Sequence, residues 1–434
     1  MLPQRPSFVL ISVLSITLAV GSAAPARAQF RGPPPGPPGG MHIPGMGMPH
    51  VPDIPHVPDT PQMPDLPAVA SIHHVDDLLR GARGLTRRTQ IDALVRAAPG
   101  RVTVDPRGEP VLRGEFLTLG LSTGQVDAAQ SQGFTVVRQT SADASLGLDL
   151  AVLHDTRGRS EAEALRLLQQ LAPKVTFAYQ HIYLPAGTGA GGDATQSVTS
   201  ATGPTGGMAR RVGLIDGGVD PANPALAHAR LAPFGCEKAN VSRHGTVVAA
   251  RLVDGDPDTL YAANLWCSDA VGGATSDLVR ALAWMAREGV PVINISLVGP
   301  DNPVLARAVQ AMIARGHVLV SAVGNDGPAA PPLFPAAYPG VIGVSAVDSR
   351  DRTLPDSGSG PQVAFCASGV VDHGRDAMRG TSFAAPIVAR RAAQLLDAPR
   401  AGAAAAVERR LASEARDLGP PGRDPRYGYG LLSP

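Results

Sequence analysis

The chain has 434 residues, 38 basic and 37 acidic, for a formal net charge of +1. That balance offers no basic field, so no nucleic-acid partner is expected, and it leaves no acidic tail. Three cysteines without a C-x-x-C pair exclude a disulfide scaffold and argue against a structural zinc site.

Arg5, an apolar run from Phe8 to Val20 and then Ala26-Arg27-Ala28 follow the order of a secretory signal, with cleavage expected after Ala28. The run is short for a bilayer span, no later stretch reaches about 18 apolar residues, and no Cys follows it to carry lipid. A secreted or periplasmic protein without membrane insertion is therefore expected. Residues 29–69 are rich in Pro and Gly and repeat as Val51-Pro-Asp-Ile-Pro-His56, Val57-Pro-Asp-Thr-Pro-Gln62 and Met63-Pro-Asp-Leu-Pro-Ala68. Such a segment reads as a semi-rigid polyproline spacer. Met41, His42, Met46, Met48, His50 and His56 leave a copper site open as the other reading, although the Pro period alone accounts for their spacing. Residues 70–107 read as a helical or connecting segment.

Over 108–185 short apolar strands alternate with helical stretches. Leu112 to Leu121 reads as a strand, Thr123 to Gln132 as a helix, Phe134 to Gln139 and Leu146 to His154 as strands, Ser160 to Leu171 as a helix, and Val175 to Leu184 as a last strand. That is the β-α-β-β-α-β order of a split βαβ unit, whose helices cover one face of a four-stranded sheet. Residues 186–208, rich in Gly, Thr and Ser, read as an exposed, cleavable linker.

From 209 to 434 the pattern becomes repeated β-α alternation. Val212 to Ile215, Val290 to Leu297, Val318 to Val323 and Val341 to Val347 are continuously apolar, with helical stretches such as Ser276 to Glu288 and Pro303 to Arg315 between them. Strands of that kind imply a parallel sheet buried on both faces, which binds ligands at the carboxyl ends of its strands. Three polar motifs fall there. Asp216 ends the first strand, His244 opens an apolar helical run in Arg243-His-Gly-Thr-Val-Val-Ala-Ala250, and Gly380-Thr-Ser-Phe-Ala-Ala-Pro386 puts Ser382 at the start of a helix extending to about Asp397. A helix N-terminus supplies free N–H groups and a positive dipole end beside that hydroxyl, and Pro386 is read as a tolerated first-turn proline. Taken singly, Asp216 is more often a loop cap and His244 in His-Gly-Thr is a weak signal, while the other reading of Ser382 is a plain N-cap.

With the three motifs in the order Asp, His, Ser, the chain resembles the subtilisin-like serine proteases, the subtilases, over about residues 209–434. Ile293-Asn-Ile-Ser-Leu297, Val323-Gly-Asn-Asp326 and Tyr427-Gly-Tyr-Gly430 extend the resemblance. It implies an α/β fold with a subtilisin-like parallel sheet and helices on both faces, and a serine endopeptidase acting on protein or peptide substrates. Ser382 would be the nucleophile, His244 the base that activates it, and Asp216 the group that orients and stabilises the imidazole. Asn325 matches the family residue that donates to the oxyanion, with the Ser382 N–H as partner. Family position also has Ser296, Leu297, Val298 and Gly299, with Ala322, Val323 and Gly324, lining the cleft and pairing with an extended peptide.

The 108–185 segment resembles the propeptides of this family, a small α+β (ferredoxin-like) domain that acts as chaperone and inhibitor; an independent binding domain is the other reading. The chain's own N-terminal domain is thus an expected partner, and a monomer is expected. Asp216 is followed by Gly217 where the family usually has Thr or Ser, and Val247-Val248 replace the more usual continuation after His-Gly-Thr. Short connections between the motifs suggest that calcium-binding loops are missing, so no required metal is expected, and the resemblance implies no cofactor. Two other functions stay open on the residues: an idle envelope binding module on the same fold, and an esterase or peptide cyclase that differs only in the acyl acceptor. Cys366 is expected to be a buried free thiol, while Cys236 and Cys267 could pair in an oxidising compartment.

Overall fold

The computed structural model describes residues 87–143, 146–186, 209–236, 241–256, 258–267, 271–371 and 378–434. The signal-like segment 1–28, the Pro/Gly-rich segment 29–69 with its Met and His residues, and most of the 186–208 linker lie outside the described residues.

The N-terminal part begins with helix α1 (Arg87–Ala97) and a short strand β1 (Val102–Val104). The expected unit follows: β2 (Pro110–Leu119), α2 (Thr123–Ser131), β3 (Phe134–Asp143), β4 (Leu148–Asp155), α3 (Glu161–Leu171) and β5 (Phe177–His181). Ser122 and Ser160 start the two helices with capping boxes, each closed by a Gln or Glu three residues on. The sheet is antiparallel and has five strands where four were expected, because β1 adds to β2 beside β4 and β5. Phe116, Phe134, Ala164 and Leu168 fill the space between sheet and helices.

The last strand is shorter than its sequence suggests. β5 stops at His181, and the chain resumes as β6 (Leu184–Pro185), antiparallel to β11 (Leu297–Val298) in the C-terminal part.

Residues 209–434 form a seven-stranded parallel sheet in the order β14-β13-β12-β10-β7-β9-β8. Its strands are β7 (Arg211–Asp216), β8 (Arg230–Phe234), β9 (Thr259–Asn264), β10 (Val292–Ile295), β12 (Val318–Ala322), β13 (Ile342–Val347) and β14 (Val363–Ser368). The continuously apolar strands split their residues between two faces with period two. Val212, Leu214, Val292, Val318 and Val320 face α4 (Arg243–Val253) and α7 (Thr381–Ala393), while Ile215, Ile293, Ile295 and Leu319 face α5 (Thr275–Arg287) and α6 (Pro303–Ala314). A last helix, α8 (Ala403–Glu414), packs Val407 and Leu411 into the first of these cores. Neither the edge strand β8 nor α8 was expected from sequence. Among the described residues no helix is long and apolar enough to cross a membrane.

The two parts share one apolar cluster, in which Leu117, Leu150 and Ala178 of the N-terminal sheet meet Leu278, Leu282, Leu305 and Val309 of α5 and α6. Polar contacts fix the register. Gln180 Nε2 donates to Ser276 Oγ at 2.8 Å while its Oε1 accepts from the Ser276 N–H at 3.1 Å, so the N-terminal part caps α5. Asn302 caps α6 with its Oδ1 and donates through Nδ2 to the Tyr179 carbonyl.

Candidate active site

Strand β7 ends at Asp216, whose carboxylate is fully buried. Its Oδ1 accepts from the Gly217 N–H at 2.6 Å and from His244 Nδ1 at 2.8 Å. With the Nδ1 proton directed at the carboxylate, Nε2 carries the lone pair, the arrangement a general base needs. His244 is the second residue of α4, which Ser242 starts by accepting the Gly245 N–H. That cap explains the departure at Gly217: a Cβ there would lie 2.7 Å from Ser242 Cβ. Thr or Ser at 217 and Ser at 242 compete for one space, so the helix cap here goes with glycine at the strand end. Val247 and Val248, the other departure, are buried apolar core.

Helix α7 starts one residue before Ser382, with Gly380 as N-cap at φ 143°, a backbone region that favours glycine. The first free N–H groups of the helix find partners in turn. Thr381 N–H donates to Asn325 Oδ1 at 3.0 Å, and Ser382 N–H donates to the Ala186 carbonyl at 3.0 Å. Because Thr381 holds Asn325 Oδ1, the Asn325 amide is fixed with Nδ2 outward, and this Nδ2 donates to the same Ala186 carbonyl at 2.5 Å. Two donors and a helix N-terminus thus converge on one carbonyl oxygen.

Pro386 is the sixth residue of α7, so it is not the first-turn proline expected from sequence. It lacks the N–H that would bond the Ser382 carbonyl four residues back. The Ser296 hydroxyl donates to that carbonyl instead, at 3.1 Å, and Ser382 Oγ donates to the Ser296 carbonyl at 3.2 Å.

The chain leading to Ala186 lies extended between two walls. On one side, the Ala186 N–H donates to Ser296 O at 3.0 Å, Pro185 pairs with Leu297 and Leu184 with Val298. Gly299 turns away, its backbone paired to Phe334. On the other side, the Tyr183 N–H donates to Gly273 O at 2.8 Å, and Ile182 bridges Ala274. Ala322, Val323 and Gly324 were expected to pair with the peptide as well. Instead the Val323 N–H bonds Val344 O, continuing the pairing of β12 with β13, and the Gly324 N–H bonds Thr381 Oγ1, so this stretch carries Asn325 into position.

Sequence reasoning missed Gly273, Ala274 and Thr381. The signal for the first two was the Gly272-Gly273 pair just before α5, a place where another backbone can approach closely. Away from the site, Cys236 and Cys267 are joined by a disulfide with Cα atoms 5.1 Å apart, and Cys366 is fully buried.

An orienting carboxylate on an imidazole, a serine at a helix N-terminus and a two-donor cradle around a peptide carbonyl suit acyl transfer. A model of the subtilase family (Peptidase_S8) matches residues 209–430. Subtilisin DY of Bacillus licheniformis is 33% identical over 246 residues, which cover 51% of this chain and 88% of that protein. Subtilisin E of Bacillus subtilis strain 168 is 31% identical over 248 residues, 51% of this chain and 64% of that protein. Among solved structures, fervidolysin from Fervidobacterium pennivorans, described as a keratinolytic enzyme related to subtilisin, superposes with a TM-score of 0.59 at 17% identity. That superposition covers 77% of this chain and 62% of the other, more than residues 209–434 can supply, so the likeness of fold extends into the N-terminal part. Motif order, sheet and relatives agree: the chain belongs to the subtilase family and is a serine endopeptidase.

Proposed function

We propose that the protein is a secreted or periplasmic endopeptidase made as an inhibited monomeric precursor, in which residues up to Ala186 form the propeptide and Ala186–Gly187 is the first bond it cuts. The observation that carries this reading is the Ala186 carbonyl, held by Ser382 N–H and Asn325 Nδ2. A carbonyl so held is polarised toward attack, and its oxygen lies where negative charge develops in the tetrahedral intermediate.

In the proposed reaction Ser382 Oγ bonds to the carbonyl carbon while His244 Nε2 takes the hydroxyl proton. Asp216 stabilises the resulting imidazolium through Nδ1–H. The C–N bond then breaks, His244 returns the proton to the leaving amine, and an acyl-enzyme remains on Ser382. Water repeats the sequence and releases the carboxylate. Ser382 Oγ must leave the Ser296 carbonyl to attack, a change of one side-chain torsion.

The sequence expectation of processing between Pro185 and Met208 narrows on this reading to its first bonds. After cleavage the N-terminal part stays bound as a product, because its tail pairs with Ser296–Val298 and its sheet covers α5 and α6. Labelling of the processed protein with a fluorophosphonate, followed by peptide mapping, tests the nucleophile. A single adduct on Ser382 is expected, and an adduct on another serine or none would contradict it.

A further inference from the structure

The base and the nucleophile stand on two helices that pack together, α4 and α7, and beside the reacting groups the contact is between rings. Those of His244 and Phe383 lie 5.2 Å apart. Such contact is largely non-directional and by itself opposes sliding of one helix along the other only weakly. Arg251 stands on the same face of α4 as His244, roughly two turns further on. Its Nη1 donates to the Val370 carbonyl at 3.0 Å and its Nη2 to the Ser368 carbonyl at 2.9 Å. Both carbonyls belong to the chain that leaves β14 on its way to Ser382. Burial pulls the Arg251 pKa from 12.5 down to about 10, so the group is still a cation at ordinary pH. Asp254, at the C-cap of α4, acts on that charge but is itself ion-paired to Arg390 at 2.8 Å.

The clamped segment is the seat of the nucleophile turn. Gly369 lies between the two carbonyls; its N–H donates to Val347 O at 3.0 Å, and its own carbonyl accepts the Gly380 N–H at 3.0 Å. A Cβ on Gly369 would lie 2.5 Å from Ala346 Cβ and 2.8 Å from the Gly380 carbonyl oxygen, so only glycine lets these backbones meet. Val370 bridges Arg379, and the Val371 N–H donates to the Met378 carbonyl at 3.0 Å, which completes a short antiparallel stem. From this stem Gly380 caps α7, and the N–H groups of Thr381 and Ser382 follow at once on Asn325 and the Ala186 carbonyl. A shift of the stem is therefore a shift of Ser382.

We infer that Arg251 is a positioning residue for the nucleophile: its planar fork ties the helix of the base to the seat of the serine and so fixes His244 and Ser382 relative to each other. Two N–H groups of one rigid guanidinium on carbonyls two residues apart admit a single register, which a lysine ammonium does not reproduce. The carbonyls it holds are not those that pair with the tail at Ser296–Val298 and Gly273, so its loss acts on the chemical step and spares binding. The inference rests on Ser382 as nucleophile in the endopeptidase reading above.

The test compares the processed wild-type protein with Arg251→Lys and Arg251→Met. Active sites are titrated to completion with a fluorophosphonate, and kcat per titrated site and KM are measured on an internally quenched peptide of residues 182–189. Arg251→Met should lower both kcat per site and the rate of fluorophosphonate reaction by roughly 10- to 100-fold at unchanged KM, the scale for a small misplacement of reacting groups. Arg251→Lys should fall between it and wild type. A purely structural role would instead lower the melting temperature or the titratable fraction and leave kcat per site at the wild-type value, which would overturn the inference. A change confined to KM would overturn it as well. Where Arg251→Met yields no folded protein, Arg251→Lys decides on the same readout: a reduced kcat per site supports the inference and a wild-type value overturns it. A wild-type protein that takes no fluorophosphonate on Ser382 would overturn the endopeptidase reading and this inference with it, whereas a labelled wild type with unaltered variants overturns this inference alone.

Discussion

The Ser296 hydroxyl donates to the Ser382 carbonyl, and the Ser382 hydroxyl donates to the Ser296 carbonyl, at 3.1 and 3.2 Å. The exchange exists because Pro386 cannot supply the helical N–H that the Ser382 carbonyl would otherwise accept. Ser296 Oγ also accepts from Asn294 Nδ2 at 2.9 Å, so one hydroxyl links the end of β10 to the start of α7. Ser296→Ala should therefore lower stability by about 1–3 kcal/mol, the cost of leaving buried groups unpaired. In a Pro386→Ala background the helix can bond that carbonyl itself, and the same substitution should cost less. Equal costs in the two backgrounds, read from denaturant unfolding, would contradict the compensation.

Asn325→Ala should reduce kcat by roughly 10²–10³ with little change in KM, the loss already established for one such donor in subtilisin itself. Asn325→Asp should be at least as severe, because Thr381 N–H would hold one carboxylate oxygen and direct the other at the developing oxyanion. A defect confined to KM would mark Asn325 as a ground-state contact instead.

How much of this was legible in sequence depends on what each feature rests on. The alternation of β7 through α7 was legible because continuously apolar strands and amphipathic helices carry their own period, and Asp216, His244 and Ser382 stand at strand ends or helix starts. The edge strand Arg230–Phe234 was not, since only one neighbour, β9, and no apolar alternation defines it. Helix Ala403–Glu414 was passed over because its run of alanines shows no strong apolar face before it meets the core. Val175 to Leu184 reads as one strand, but pairing with Leu297 and Val298 breaks it at Ile182 and Tyr183. Ala186, in a stretch that looks like linker, is held by Ser382 and Asn325 from far along the chain. Local patterns carry no trace of such contacts.

Asp105 ties the N-terminal part together. Burial raises its pKa, but hydrogen bonds from His181 and from the N–H groups of Glu109 and Arg107 outweigh this and hold it at about 2, below the ordinary 3.8. A carboxylate with a depressed folded pKa adds stability that is fully present above the ordinary value and is lost as pH falls through the folded one. The N-terminal part should thus lose of order 1–2 kcal/mol between about pH 4 and pH 2 from this group. Asp105→Asn should flatten that portion of the acid-unfolding curve. An unchanged curve would show that Asp105 has no such role.

Thiol chemistry gives an independent check on the catalytic part. Cys366 is buried in β14, and burial pushes its pKa up to about 12, so the native protein should resist iodoacetamide. Denatured without reductant it should take up one label, and after reduction three. The Cys236–Cys267 bond spans 31 residues, and its loss should cost about 3–4 kcal/mol in the chain-entropy account. Three labels without reductant would mean the bond is absent in solution.

The most direct test of the account is the N-terminus of the processed enzyme. Full-length protein and its Ser382→Ala variant are expressed alike, and intact mass with N-terminal sequencing reads the cut. The wild-type chain should yield a protease beginning at Gly187, the residue after the carbonyl held by Ser382 and Asn325, while Ser382→Ala stays joined across that bond. A mature enzyme that begins elsewhere and never passes through a Gly187 form, or a Ser382→Ala chain that cuts itself after Ala186 as fast as wild type, would contradict it.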